Sequence, residues 1–200
     1  MQKNSSRHFK ALVIGVSTGG VAALKYLLGA LPADYPIPVL VVTHITPESD
    51  DGMAVLLNAL CSIRIKEADE QDRITAGTVY LAPANYHLLV ERGGTLSLSI
   101  DPPVNYARPS VDVLFESAAE VYGAELIGVI LTGAGCDGSR GLLKIKNCAG
   151  ITIVQDPAYA EMDSMPQSAL QLVEADYVVR LQELPEILLQ LAAMNQLFGK

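Results

Sequence analysis

Residues 11–30 pass from strand to turn to helix with nothing between them. Ala11–Val16 is an uninterrupted apolar run, the pattern of a parallel strand covered on both faces. Residues 18–30 carry Val21, Leu24, Leu27 and Leu28 at helical spacing, and Leu31-Pro32 stops that stripe. A strand that needs cover on both faces, joined this tightly to an amphipathic helix, belongs in a sheet with helices packed against it. The joint itself reads Gly15-Val16-Ser17-Thr18-Gly19-Gly20. Its glycines permit a sharp turn and close approach of a ligand, and they lift the Ser17 hydroxyl toward solvent. The spelling fits G-x-S-x-G, the nucleophile elbow of serine hydrolases. It also falls one residue short of the dinucleotide pattern G-x-G-x-x-G, with Ser17 where the middle glycine would stand.

The same alternation continues. Residues 38–43 form a second buried strand ending at His44, and residues 50–60 a helix with Met53, Leu56, Leu57 and Leu60 on one face. After them, residues 63–66, 78–81, 87–91 and 95–100 read as short strands, with Arg92-Gly93-Gly94 as a hairpin turn. This middle region is expected to leave the main sheet as an antiparallel excursion. Residues 110–122 are helical with Ser110 as N-cap, residues 126–131 form a central strand, and residues 139–148 a helix. A strand at 151–154, a helix at 165–172, a strand at 177–179 and a helix at 183–198 close the chain, with Pro185 tolerated in the last helix's first turn. The expected fold is a three-layer α/β/α sandwich around a mostly parallel twisted sheet. Residues 1–10 form a polar tail and residues 11–200 one domain.

Composition removes several classes. With a net charge of −8 the chain lacks the basic surface that nucleic acid or an anionic membrane demands. No apolar run reaches the length of about 18 residues that a membrane span needs, and residues 1–10 contain no signal-peptide core. Cys61, Cys136 and Cys148 show neither CxxC spacing nor a disulfide framework. The cysteines thus argue against a zinc cluster, and a reduced cytoplasm is the expected home.

Ligands of open parallel sheets bind beyond the carboxyl ends of the strands, and three reactive side chains fall there. Ser17 follows the first strand, His44 the second, and Asp137 lies in the glycine-flanked loop after residues 126–131. Nucleophile, base and orienting carboxylate are the parts that acyl transfer requires. Each alone has a plainer use, Ser17 as phosphate-loop or capping serine, His44 as a hydrogen-bonded strand-end residue, Asp137 as a turn aspartate. The start of the helix after Ser17 and the Gly133-Ala134-Gly135 segment offer backbone N–H groups for an oxyanion. His8 falls in the polar tail, and His87 opens a strand of the excursion, where packing is its expected role. Cys136 adjoins Asp137 with no local cue for a reactive thiolate.

The ordered set Ile14-Gly15-Val16-Ser17-Thr18-Gly19-Gly20, Val42-Thr43-His44-Ile45, Gly77-Thr78-Val79-Tyr80-Leu81-Ala82-Pro83, Pro103-Val104-Asn105, Arg108-Pro109-Ser110-Val111-Asp112, Gly128-Val129-Ile130-Leu131-Thr132-Gly133, Asp137-Gly138 and Met165-Pro166 resembles the catalytic domain of the chemotaxis protein-glutamate methylesterases, the CheB family. The resemblance implies a cofactor-free Ser-His-Asp hydrolase that cleaves glutamate γ-methyl esters on the cytoplasmic helices of methylated chemoreceptors. Methanol is the product, and some members also deamidate glutamines. Carried over residue by residue, Ser17 is nucleophile, His44 general base and Asp137 orienting carboxylate. Thr18 and Gly19 with Thr132, Gly133 and Ala134 line the cleft and its oxyanion side, while Arg108, Ser110 and Asp112 shape the rim. The chain order Ser, His, Asp separates it from α/β-hydrolases. Departures from the family pattern are Thr43 for Gln, Ala134 for Met, Cys136 for Asn and Ser164 for Gly. Only ten residues precede the first strand, so no phospho-acceptor receiver domain is expected within this chain. Arg92, Arg108, Arg140 and Lys144 offer local positive charge for an acidic receptor. Two other functions are weighed against this one, a nucleotide-binding α/β domain using residues 15–20 and a receptor-docking module with weakened catalysis.

Overall fold

The computed structural model describes residues 8–44 and 52–196. Seven parallel strands form the main sheet in the order β3-β4-β2-β1-β7-β8-β9. They are β1 (Ala11–Val16), β2 (Val39–Thr43), β3 (Arg64–Glu67), β4 (Thr78–Leu81), β7 (Leu126–Ile130), β8 (Ile151–Gln155) and β9 (Tyr177–Val179). A separate antiparallel hairpin joins β5 (His87–Val90) to β6 (Leu96–Ser99). The helices are α1 (Gly20–Gly29), α2 (Gly52–Leu60), α3 (Val111–Tyr122), α4 (Ser139–Asn147), α5 (Ser164–Leu172) and α6 (Leu184–Gln196).

The strand period of two sorts the core onto two faces. Leu12, Ile14 and Val16 of β1 pack with Leu24, Leu27 and Leu28 of α1, Leu57 of α2 and Leu188 of α6. Ala11 and Val13 point the other way, toward Leu114 and Phe115 of α3, Leu142 and Ile145 of α4 and Ala169 of α5. The expected three-layer sandwich is therefore present, and residues expected at the strand and helix ends shift by one or two positions. Asp50 and Asp51 of the expected second helix, and Gln196's side chain with residues 197–198 of the last, lie outside what is described.

One expectation needs correction. Of the four strands assigned to an antiparallel excursion, only β5 and β6 leave the sheet. β3 and β4 extend the parallel sheet, with Val79 opposite both Val39 and Ile65. Brevity and close spacing made all four resemble hairpin strands. The distinguishing feature is the connection. Residues 91–95 turn back at once, whereas residues 68–77 return the chain to its starting edge, as a parallel pair requires. All four residues of β4 are buried, which suits a strand covered on both faces.

The chain runs from β1 to β2, skips to the edge strand β3, returns to β4 between them, and then resumes on β1's other side with β7, β8 and β9. Strand order reverses around β1, and the crevice beyond its carboxyl end is where such sheets hold ligands.

Candidate functional site

Sheet register alone brings the first two side chains together. Val16 pairs with Thr43, and His44 N donates to Val16 O at 3.3 Å, so Ser17 and His44 are the next neighbours on adjacent strands. On the other side Ser17 N donates to Thr132 O at 3.0 Å. The elbow is thus held from both flanks. Gly19 adopts φ +80° as the N-cap of α1, a left-handed conformation that glycine enters without a Cβ penalty. Ser17 O accepts Gly20 N at 2.8 Å, and the helix begins two residues later than its apolar stripe implied.

His44 is 22% exposed at its side chain, and its Nε2 lies 2.8 Å from Asp137 Oδ2. Asp137 is 3% exposed and accepts from five groups: His44 Nε2, Asn105 Nδ2 at 2.9 Å, Ser110 Oγ at 2.8 Å, Val111 N at 2.7 Å and Asp112 N at 3.2 Å. Two of these are the first backbone amides of α3, so the carboxylate caps that helix from another part of the chain. A negative charge at a helix N-terminus is favoured by the free amides and the helix dipole. Ser110 occupies the N-cap position as expected, but its side chain makes no cap bond to its own helix. Its hydroxyl donates to Asp137 instead.

These contacts decide the charge state of the carboxyl. Burial pushes Asp137 up, but hydrogen bonds from His44, Asn105, Val111 and Ser110 outweigh it and hold the group below the usual carboxylate range. An ionised Asp137 accepts the proton on Nε2 and leaves Nδ1 as the bare nitrogen of a neutral ring.

Asn105 and Asp112 support the arrangement from behind. Asn105 Nδ2 donates to both Asp137 Oδ1 and Asp112 Oδ2, the latter at 2.8 Å, and Asp112 Oδ1 takes Gly141 N of α4 at 2.7 Å. Burial raises Asp112 above its ordinary range and the nearby Asp137 charge adds to it, against the opposing bonds from Gly141, Asn105 and Gly138. Ser110 and Asp112, expected on the rim, are both buried behind Asp137. Arg108 does line the cleft, and its Nη1 holds the loop by donating to Ile100 O at 2.8 Å and Asp101 O at 3.1 Å. His87 is buried, accepting Ser110 N on Nδ1 and facing Pro102 O through Nε2, both at 3.2 Å. Its structural role matches the expectation.

The remaining cleft residues come from the loop after β7. Thr132 Oγ1 faces Thr18 O at 3.0 Å and Met162 O at 3.3 Å and accepts Met162 N at 2.9 Å. Thr132 N donates to the buried Gln155 Oε1 at 2.8 Å, and Gly133 N donates to Met162 O at 3.0 Å. The Thr18 side chain is exposed. Two cavities meet at the His44 ring. One, of about 400 Å³, is lined by Ser17, Gly19, Met53 and Glu161, the other, of about 550 Å³, by Asn105, Tyr106, Arg108, Ala134, Cys136 and Asp137. Asn105 appeared in the sequence only as part of a motif, and Gln155, Met162 and Glu161 carried no signal at all. Met162 acts through its backbone, and Asn105 and Gln155 through side-chain bonds to distant segments, which residue type does not announce.

A protein-family model described as CheB methylesterase matches residues 12–188. The chain belongs to the CheB methylesterase family. It is 50% identical over 188 residues to a putative protein-glutamate methylesterase/protein-glutamine glutaminase of Leptospira interrogans, covering 94% of this chain and 97% of that protein. Against protein-glutamate methylesterase/protein-glutamine glutaminase 3 of Burkholderia lata it is 44% identical over 190 residues, which span 93% of this chain but 52% of the relative. The crystal structure of the Thermotoga maritima CheB methylesterase catalytic domain superimposes with a TM-score of 0.88 at 35% identity, covering 92% of this chain and 98% of that one. Membership in this family disfavours the nucleotide-binding alternative for residues 15–20. Among the described residues no helix is long and apolar enough to cross a membrane, and no group of His, Cys, Asp or Glu is arranged to hold a metal ion.

Proposed function

We propose that this chain is a cytoplasmic serine hydrolase that cleaves glutamate γ-methyl esters on the helices of chemoreceptors and deamidates glutamines at such positions. Residues 11–200 form its catalytic unit. The observation that carries this is the 2.8 Å contact between His44 Nε2 and Asp137 Oδ2, made by a ring that shares its other cavity with Ser17.

The proton path follows from that contact. Nδ1 is the ring nitrogen nearer the main chain, and Ser17 flanks the His44 main chain on the neighbouring strand. Ser17 Oγ gives its proton to Nδ1 as it attacks the ester carbonyl, and Asp137 stabilises the imidazolium that forms. The imidazolium returns the proton to the leaving methoxide, which departs as methanol and leaves an acyl-enzyme on Ser17. Water, deprotonated by the same nitrogen, attacks the acyl carbon. The imidazolium returns that proton to Ser17 Oγ as its bond to the acyl carbon breaks, and the glutamate leaves as carboxylate after losing its proton to solvent. With an amide substrate the leaving group is ammonia and the steps are otherwise the same.

The oxyanion requires N–H groups with no other partner. Ser17 N and Gly133 N are already engaged with Thr132 O and Met162 O. The donors in this proposal are therefore the amides at the start of α1, from Thr18 and Gly19, together with Ala134 N across the crevice. Backbone donors serve equally well with alanine at position 134, so that departure is compatible with full chemistry. The alternative of a docking module with weakened catalysis is thereby disfavoured.

The test is methanol release from a methyl-labelled receptor cytoplasmic fragment. Ser17→Ala and His44→Ala each lower kcat by about 10⁴-fold or more while circular dichroism stays native. Turnover in Ser17→Ala equal to wild type overturns the assignment.

A further inference from the structure

The cavity beside Ser17 carries a charge that the proposed reaction does not use. Among the described residues that line it, Glu161 supplies the one carboxylate. Its side chain lies along Gly19, so closely that a Cβ on that glycine would stand 2.6 Å from Glu161 Oε2 and 3.0 Å from Glu161 Cβ. A side chain at position 19 and a carboxylate at position 161 could not occupy this space together.

The chain on both sides of Glu161 is held, through the backbone of Met162 and through the side chain of Tyr159. On one side Met162 N reaches Thr132 Oγ1 at 2.9 Å and Met162 O accepts Gly133 N at 3.0 Å. Thr132 Oγ1 in turn reaches Thr18 O, which ties the segment to the elbow itself. On the other side Tyr159 is clasped by Arg180, whose Nη2 donates to Tyr159 Oη at 2.6 Å and whose guanidinium stacks 4.0 Å from the ring centroid. Glu161 makes no ion pair among the described residues. Glu161 itself is exposed, with no cation beside it among the described residues, and its carboxylate faces the cavity that it shares with Ser17, where an acyl group bonded to that serine would lie.

We propose that Glu161 selects by charge, admitting the uncharged γ-ester or γ-amide and expelling the γ-carboxylate that hydrolysis leaves behind. The inference rests on the esterase assignment above. Ester and water become carboxylate, methanol and a proton; amide and water become carboxylate and ammonium. In both reactions the acyl group enters neutral and leaves as an anion beside a second anion. Like charges at close range repel, and at an exposed carboxylate that repulsion is moderate and weakened by salt. The same repulsion keeps glutamates that were never esterified from competing for the site.

The experiment uses the whole chain and two peptides of one sequence, one with a glutamate γ-methyl ester and one with the free glutamate. Methanol release gives KM for the ester and Ki for the acid. Glu161→Gln keeps the shape of the side chain and removes its charge. The ratio of Ki for the acid to KM for the ester falls about tenfold in the variant. In wild type that ratio declines with added NaCl as the repulsion is screened, and in the variant it is insensitive to salt. An unchanged ratio, or Ki and KM moving together, overturns the proposal. If the variant turns over too slowly to assay, calorimetric titration of the acid peptide into Ser17→Ala and into Ser17→Ala/Glu161→Gln makes the same comparison. Equal affinities there overturn it as well. Failure of the esterase assignment is a separate result: methanol release absent from wild type, or undiminished in Ser17→Ala.

Discussion

Replacing Asp137 by asparagine changes one atom and disturbs two functions at once. In the native site Oδ2 accepts His44 Nε2 and Val111 N, while Oδ1 accepts Asn105 Nδ2, Ser110 Oγ and Asp112 N. An asparagine offers one acceptor oxygen and one NH₂ group. If the NH₂ takes the Oδ2 position, His44 Nε2 must become an acceptor and the ring proton moves to Nδ1. The imidazole then presents a donor toward Ser17 and cannot take its proton. The same NH₂ also faces Val111 N–H, so α3 loses a cap. If the NH₂ takes the Oδ1 position, it confronts the Asn105 and Asp112 donors instead. No orientation satisfies the site. The wrong tautomer lowers kcat by about 10⁴-fold, and each buried donor left unpaired costs about 1–3 kcal/mol. Steady-state methanol release and urea unfolding of Asp137→Asn read the two effects separately. A kcat within tenfold of wild type refutes the tautomer argument. Unchanged stability refutes the role of the carboxylate as the cap of α3.

Gly133→Ala is expected to abolish turnover, because a Cβ there overlaps Met165 Sδ and stands 2.8 Å from Ser17 Cβ. Retention of more than a tenth of wild-type kcat counts against that placement. Asn195 on α6 accepts Phe9 N and donates to Phe9 O, both at 2.7 Å and buried. Asn195→Ala is expected to lose about 2–4 kcal/mol in chemical denaturation by stranding both backbone groups, and a loss below 0.5 kcal/mol (roughly the scatter of surface substitutions) contradicts it. Because the native Asp137 pKa is depressed, its contribution to stability is complete above its unfolded value of about 3.9 and is lost as pH falls through the lower native value. The stability gap between wild type and Asp137→Ala is therefore constant above about pH 5 and narrows progressively below about pH 4. A gap that does not narrow at all as pH falls below about 4 speaks against the depressed value.

The parts of this fold legible in the sequence are those written in side-chain periodicity. Ala11–Val16 declares itself by an apolar run, α1 by its stripe, and the crevice by reactive residues that follow strand ends. What was hidden depends on contacts between distant segments. Nothing in residues 63–66 and 78–81 distinguishes a parallel edge from a hairpin, since the difference lies in the path of the connecting loop. Ser110 reads as a helix cap by residue type, yet its hydroxyl turns to a carboxylate 27 residues away. The family resemblance implies a rim position for Asp112, but as the second residue of α3 it points back into the protein to hold Gly141. Glu161 has no periodic or motif context at all. Its position is set by bonds that Met162 makes to Thr132 and Gly133.

The position of Asp137 also ties the reaction to the order in which the chain is made. Ser17 and His44 emerge early from the ribosome, while the carboxylate that orients the imidazole follows 93 residues after the histidine. By then the amides of α3 that help to hold Asp137 must be in place as well. A chain cut anywhere between β2 and α3 lacks both Thr132, which holds one flank of the serine elbow, and the carboxylate beside His44. On the proposed triad, hydrolysis therefore waits until both halves of the sheet have closed around β1.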